Sequence, residues 1–298
     1  MELGILEPAA RETIDAPLSW SRPPPDFVAD LSGRELAHNL FATARARHGT
    51  ARVRFGPVLV YGSHHFHAVM DASGRLALQE SAADRVRFRV GHHLTNPPPA
   101  GAAVPRMAQG EPPGIDLSPA GVAALPGPVF FASAIEPDNW GMWLLNVPPS
   151  VADWRARGGG EQVLCWVRFK WQRALLKFLG VPDDRLAVQQ EWRTYAVPGL
   201  TMHQYTAVDL VPTATDRAVF GRVAAMCGPP EAGGERLFIS RKGFTARFGH
   251  RRLVNEDELI AALAARGFRI LEPETLAFRE QVRMFRGARP VLRSARPR

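Results

Sequence analysis

The sequence predicts an α/β protein in two domains, and three observations predict it. Past Pro128, short apolar runs alternate with segments of helical spacing, and the last third reads strand, helix, strand, helix. Its 298 residues reach the about 250–300 at which single cores stop growing. A hydrophobic share of 46% beside 22% charged residues suffices for a sizeable core and excludes a disordered chain.

Residues 1–30 form a proline-rich arm (Pro17, Pro23, Pro24, Pro25), expected to lie over the surface. Residues 33–48 have helical spacing through Leu36, Leu40 and Phe41. β-like runs follow at 53–55, 58–61, 65–70, 76–79 and 86–90, and Asp71-Ala-Ser-Gly74 reads as the turn of a hairpin. Residues 96–128, rich in Pro, Gly and Ala, read as a long loop. A strand is expected at 129–133, then a helix from about 139 to 147, stopped by Pro148 and Pro149. A strand at 163–167 and a helix at 171–179, ended by Gly180 and Pro182, come next. Weaker strands are expected at 186–189 and near 207–210, and a helix at 216–226.

The last third carries the clearest signals. A strand at 236–240 leads through a basic loop to a helix with Asn255 at its N-cap and Glu256, Asp257 and Glu258 in its first turn. Asn255 and Glu258 have the spacing of a capping box, and Gly267 ends the helix. A strand at 268–271, a helix at 274–285 and the start of a third strand near Pro290-Val-Leu292 complete a parallel unit with right-handed crossovers.

Charge does not define a general basic face. The net charge is +8, but the six arginines from Arg283 onward carry +6 of it, so a nucleic-acid partner is not expected. No apolar run approaches the ~20 residues of a membrane helix, and the first residues lack the pattern of a signal peptide; a cytoplasmic protein is expected. Cys165 and Cys227 cannot form a cysteine zinc site by themselves. GxSxG, Walker A, HExxH and GxGxxG motifs are all absent.

Three groups could carry chemistry. His64, His65 and His67, with His92 and His93, read as surface or hairpin-packing residues rather than metal ligands, because strand alternation throws them to different faces. Arg241, Lys242, Arg247, Arg251 and Arg252 lie between a strand's carboxyl end and the next helix, where open α/β sheets bind ligands. Guanidinium groups there match phosphate oxygens, so a diphosphate fits without a metal; a solvated loop is the plain alternative. At Asp138-Asn-Trp-Gly-Met-Trp143, Asn139 could cap a helix or reach into a cleft, and Trp140 and Trp143 are stacking or core residues. Trp166, Trp171 and Trp192 read as packing.

Arg236-Leu-Phe-Ile-Ser-Arg-Lys242, Arg252-Leu-Val-Asn-Glu-Asp-Glu-Leu259, Gly267-Phe-Arg-Ile-Leu-Glu-Pro273 and Glu280-Gln-Val282 resemble, in order and spacing, the motifs of glycosyltransferase family 61. Asn139-Trp-Gly-Met-Trp-Leu-Leu-Asn146-Val-Pro-Pro149 is similar to the family's upstream element. The resemblance implies a GT-B-like fold of two Rossmann-like domains, the C-terminal one incomplete, and inverting transfer from a nucleotide sugar to a saccharide or glycoconjugate. It implies an acceptor-side domain at 129–212 with parts of 1–128, a donor domain at 213–292 and a non-homologous basic tail at 293–298 in a shortened member. Arg241, Lys242, Arg252, Asn255 and Glu256 would line the donor pocket and Asn139 and Trp140 the acceptor side, with no metal. Peripheral association with a membrane-bound polysaccharide assembly system is a further expectation. The family usually has His where Met142 stands and Asp where Asn146 stands, which leaves Asp138 or Glu136 as the base. A saccharide-binding or scaffold protein without turnover is the alternative.

Overall fold

The computed structural model describes residues 5–15, 18–20, 45–47, 50–62, 67–77, 106–107, 115–116, 122–134, 136–191, 193–205, 213–231, 233–240, 242–243, 255–289 and 291–293. It is a mixed α/β structure with five α-helices among the described residues. The chain divides into two compact units, Met1–Arg217 and Ala218–Arg298.

The first unit opens with strands β1 (Ala10–Thr13), β2 (Leu18–Trp20), β3 (Arg45–Arg47), β4 (Thr50–Phe55), β5 (Val58–Gly62), β6 (His67–Met70) and β7 (Leu76–Ala77). Short strands β8 (Arg106–Met107), β9 (Ile115–Asp116) and β10 (Val122–Ala124) follow. Next come β11 (Val129–Ala132), helix α1 (Trp140–Ala156), β12 (Gln162–Cys165), α2 (Lys170–Phe178), β13 (Leu186–Val188), β14 (Arg193–Val197) and β15 (Leu200–Tyr205). They build a six-stranded sheet, β1-β4-β15-β11-β12-β13, and a five-stranded sheet, β10-β14-β5-β6-β7. In the first, β15, β11, β12 and β13 are parallel, and β4 and β1 extend it antiparallel.

The two sheets share one core. Val53, Val129, Phe131, Leu164, Leu200 and Met202 from the first meet Val58, Val60, Val69, Tyr195 and Val197 from the second. Helix α1 buries Trp143, Val147, Val151 and Trp154. Its indoles bond to carbonyls at the two ends of β12, Trp143 Nε1 to Trp166 O and Trp154 Nε1 to Glu161 O, both at 3.1 Å. All four residues of β11 are buried, hence its unbroken apolar run.

Several expectations are corrected. The described part of the N-terminal arm supplies the edge strand β1, and residues 45–47, expected to end a helix, pair with β2 as a strand; Leu36, Leu40 and Phe41 lie outside the described residues. The loop expected at 96–128 contains β8, β9 and β10. Helix α1 runs through Pro148 and Pro149 to Ala156, because both prolines are buried with its apolar face and that packing offsets the lost N–H donors. Strands β14 and β15 were not expected, and the strand expected near 207–210 lies outside the described residues.

A buried ionic group ties α1 to the sheet. Arg52 Nε donates to Asp153 Oδ2 at 2.8 Å, another guanidinium N–H reaches Oδ1, and His203 Nε2 approaches Oδ2 at 3.1 Å. Arg52 also pairs with Glu12 of β1. Burial pushes the Asp153 carboxyl up, but the bonds from His203 and Arg52 outweigh it and hold the group well below the usual carboxylate range.

The second unit begins within helix α3 (Ala214–Met226), whose start is set by Thr213 and Asp216, each side chain accepting from the other's backbone N–H. Strand β16 (Arg236–Ile239), helix α4 (Glu256–Ala264), β17 (Phe268–Leu271), helix α5 (Phe278–Gly287) and β18 (Val291–Arg293) follow. The sheet is parallel in the order β17-β16-β18, so the expected third strand forms. Arg293, the first residue expected in the basic tail, closes that strand opposite Ile239. The expected helix at 274–285 is a 3-10 turn (Pro273–Thr275) followed by α5.

Asp153→Asn leaves the Arg52 guanidinium without its buried counter-charge, and denaturant titration at pH 7 is expected to show a loss of about 3–5 kcal/mol. Because this carboxyl titrates lower in the folded chain, its contribution is complete above the ordinary carboxylate range and fades as pH falls through its own. The difference between wild type and variant should therefore shrink in strong acid.

Candidate functional site

Parallel strands present their carboxyl ends along one edge, where crossover loops gather functional groups. In the first unit, Ser133 follows β11, Trp166 follows β12 and Gln189 follows β13. Asp138, beyond β11, accepts from Trp166 Nε1 at 2.8 Å on Oδ1, and its Oδ2 pairs with Arg168. Asn139 Oδ1 accepts from the Gly141 and Met142 N–H groups at 3.1 and 3.3 Å, and its Nδ2 donates to Glu136 Oε2 at 2.8 Å. It is the N-cap of α1, the first of its two expected roles. Trp143 lies in the core, while Trp140, one turn earlier, is 63% exposed. Met142 packs on Ala134, and Asn146 is buried.

The same edge holds a group that sequence reasoning missed. His67 of β6 is buried with its Nδ1 against Ser133 Oγ. The Ser133 hydroxyl also lies within hydrogen-bond reach of Ala134 O, at 3.2 Å. His67 Nε2 and the whole Gln189 amide have no hydrogen-bond partner among the described residues. A Cβ on Gly62 would collide with both side chains, so only glycine allows this close approach. Burial pushes His67 down to about 3, which keeps it neutral. This agrees with a packing histidine; His64, His65, His92 and His93 lie outside the described residues. No group of three or more His, Cys, Asp or Glu side chains that could hold a metal occurs among the described residues. No described helix is long and apolar enough to cross a membrane.

In the second unit, β17 and β18 flank β16: the chain moves from β16 through α4 to β17 on one side and returns from β17 through α5 to β18 on the other, and such a reversal of strand order is where open parallel sheets bind ligands. Ser240, next after β16, is buried; its Oγ donates to Glu256 Oε1 at 3.0 Å and accepts from the Lys242 N–H at 3.1 Å. Glu256 is 5% exposed and stands at the amino end of α4, where the helix dipole favours a carboxylate. This bond ties the end of β16 to the start of α4. Lys242 Nζ pairs with Asp257. A Cβ on Gly243 would stand 2.9 Å from Glu272 Oε2 and 3.2 Å from Glu274 Oε1, so this turn runs close against the carboxylates after β17. Asn255 is the N-cap residue of α4 but makes no side-chain cap bond; its ψ of 31° is not the extended conformation that capping needs, so the expected capping box does not form. Arg241 and Arg252 lie outside the described residues.

A family model described as glycosyltransferase 61 matches residues 65–293, most of the chain and both edges. The chain belongs to the glycosyltransferase 61 family. No match to a curated protein was found. Membership in glycosyltransferase 61 makes sugar transfer the chemistry to seek at these edges, with a sugar donor and an acceptor as partners.

His67 provides a pH test. Between its ordinary 6.5 and about 3, the unfolded chain binds a proton that the folded chain refuses, so stability falls as pH drops through that window, by up to about 1.4 kcal/mol per unit. In His67→Gln the slope between pH 7 and 4 is expected to flatten relative to wild type in denaturant titrations; equal slopes would contradict the assignment.

Proposed function

We propose that this protein is an inverting glycosyltransferase that moves a sugar from a nucleotide-sugar donor to a hydroxyl of a saccharide or glycoconjugate. The supporting observation is the switch point at Ser240 in a family member: a parallel β17-β16-β18 sheet whose arginine-bearing loop begins beside the amino end of α4. In this reading two Rossmann-like domains of GT-B type divide the work. Arg241, Lys242, Arg252, Asn255 and Glu256 form the donor pocket, and Asn139 and Trp140 the acceptor side. The acceptor oxygen attacks the anomeric carbon as its bond to the diphosphate breaks, and the configuration inverts. Arginines and the amino end of α4 take up the charge of the departing nucleoside diphosphate without a metal. Asp138 takes the hydroxyl proton, exchanging its half-exposed contact with Arg168 for the acceptor.

The burial of Met142 against Ala134, where family members usually carry a histidine, favours a second reading, a saccharide-binding protein without turnover. Nucleoside diphosphates should raise the melting temperature of the wild type and not that of Arg241→Ala, whereas a protein lacking the donor site shows no shift. Incubation with nucleotide sugars and mixed saccharides, read by mass spectrometry, separates turnover from binding. Trp140→Ala should weaken saccharide binding about ten-fold while leaving stability within ~0.5 kcal/mol, because the indole is an exposed stacking face.

A further inference from the structure

We propose that His67 and Gln189 form a buried recognition pair for one hydroxyl of the acceptor saccharide; this rests on the acceptor-side reading of Asn139 and Trp140 above. Orphaned polarity carries the inference. His67 is 7% and Gln189 3% exposed, yet the imidazole Nε2 and both polar atoms of the amide have no hydrogen-bond partner among the described residues. Burying such atoms unbonded costs free energy that an apolar side chain of the same shape would not. The fold nonetheless brings them together. A Cβ on Gly62 would collide with the Gln189 amide nitrogen and stand 2.9 Å from His67 Nε2, so both nitrogens converge beside one stretch of backbone.

Location and chemistry together assign the ligand. Gln189 directly follows β13, and Ser133, whose Oγ meets His67 Nδ1, directly follows β11. The pair therefore stands at the carboxyl edge of the parallel strands, where such sheets receive ligands. The Trp166 ring lies edge-on to His67 at 6.1 Å, and its Nε1 reaches Asp138 at 2.8 Å, two residues before the exposed Trp140. A single indole thus separates the pair from the acceptor side. Burial pushes His67 down to about 3, so imidazole and amide are both neutral and offer no charge to an ion. A hydroxyl donates and accepts through one atom, so it can bond the imidazole in either tautomer and complete the exchange with the amide. Gln190 and Glu191, next in the chain, are exposed, and no hydrogen bond anchors the Gln189 amide, which can swing toward that rim to meet a sugar.

The test is calorimetric binding of methyl glycosides of xylose, glucose, galactose, mannose and N-acetylglucosamine, each with its monodeoxy analogues, to the full chain. Gln189→Met is expected to melt no lower than wild type, since it removes an unbonded amide, yet to bind the preferred glycoside at least about ten-fold more weakly. A packing role alone predicts the first result without the second. Should Gln189→Met fail to fold, the unaltered protein answers: one monodeoxy analogue should lose at least about ten-fold, and the parent glycoside but not that analogue should shift the His67 Nε2 signal in nitrogen NMR. A folded Gln189→Met that binds like wild type, or a His67 signal unmoved by saturating glycoside, leaves the pair with water alone and overturns the proposal while the acceptor reading stands. A wild type that binds no glycoside of the panel overturns the acceptor reading, and the role of this pair with it.

Discussion

Parallel pairing is the constraint on which both units depend. Parallel neighbours need long crossovers, and the crossovers of successive strands start from the same edge. Residues far apart in sequence are thus delivered to one line: Ser133, Trp166 and Gln189 in the first unit, Ser240 and Arg293 in the second. Another group of the first unit does different work. There Arg52 and Asp153 spend their charges on one another and, with His203 on the same carboxylate, fasten α1 to the sheet.

Burial makes the two edges costly unless their polar groups are paired, and the pairing fixes geometry. Glu256, nearly enclosed, has the Ser240 hydroxyl and a helix amino end in its favour, so the end of β16 and the start of α4 are held together. Asp138 does the same for the first unit: one oxygen holds the Trp166 indole and the other Arg168, which locks the ends of β11 and β12 together. His67 Nε2 and the Gln189 amide depart from this rule, having no hydrogen-bond partner among the described residues. Native structures keep such groups where packing or function demands them, and here the glycine at 62 is what lets the two side chains come so close.

Elements whose signals are local were legible in the sequence. β11, β16, β17 and α2 carry clean apolar runs or helical spacing, and β18 was visible in three residues. The misses are tertiary. Pro148 and Pro149 argue for a helix end until burial of the face that carries them is known, and Arg193-Thr-Tyr-Ala-Val197 shows no pattern strong enough to stand out before its partner β5 is known. Site partnerships are less legible still. Asp138 meets Arg168 across 30 positions and His67 meets Ser133 across 66, and no periodicity links residues on different sheets. The family motifs, in contrast, could be read directly, since they occupy the strand ends and helix starts that the crossovers bring together.

Counting charges would have sent attention to the wrong places. The excess of arginines after residue 282 looks like one basic tail, yet its members have distinct roles. Arg283 and Arg286 close the carboxyl end of α3, where a cation meets exposed carbonyls and the negative end of the dipole. Arg289 extends past Gly234, whose positive φ of 58° suits a residue without a side chain. Arg293 ends a strand at the switch point. A cation gains its function from the place where it stands, so the same residue type caps a helix, packs a turn and ends a strand within a dozen positions. In an open parallel sheet it is strand order, not net charge, that decides which residues stand at the carboxyl edge.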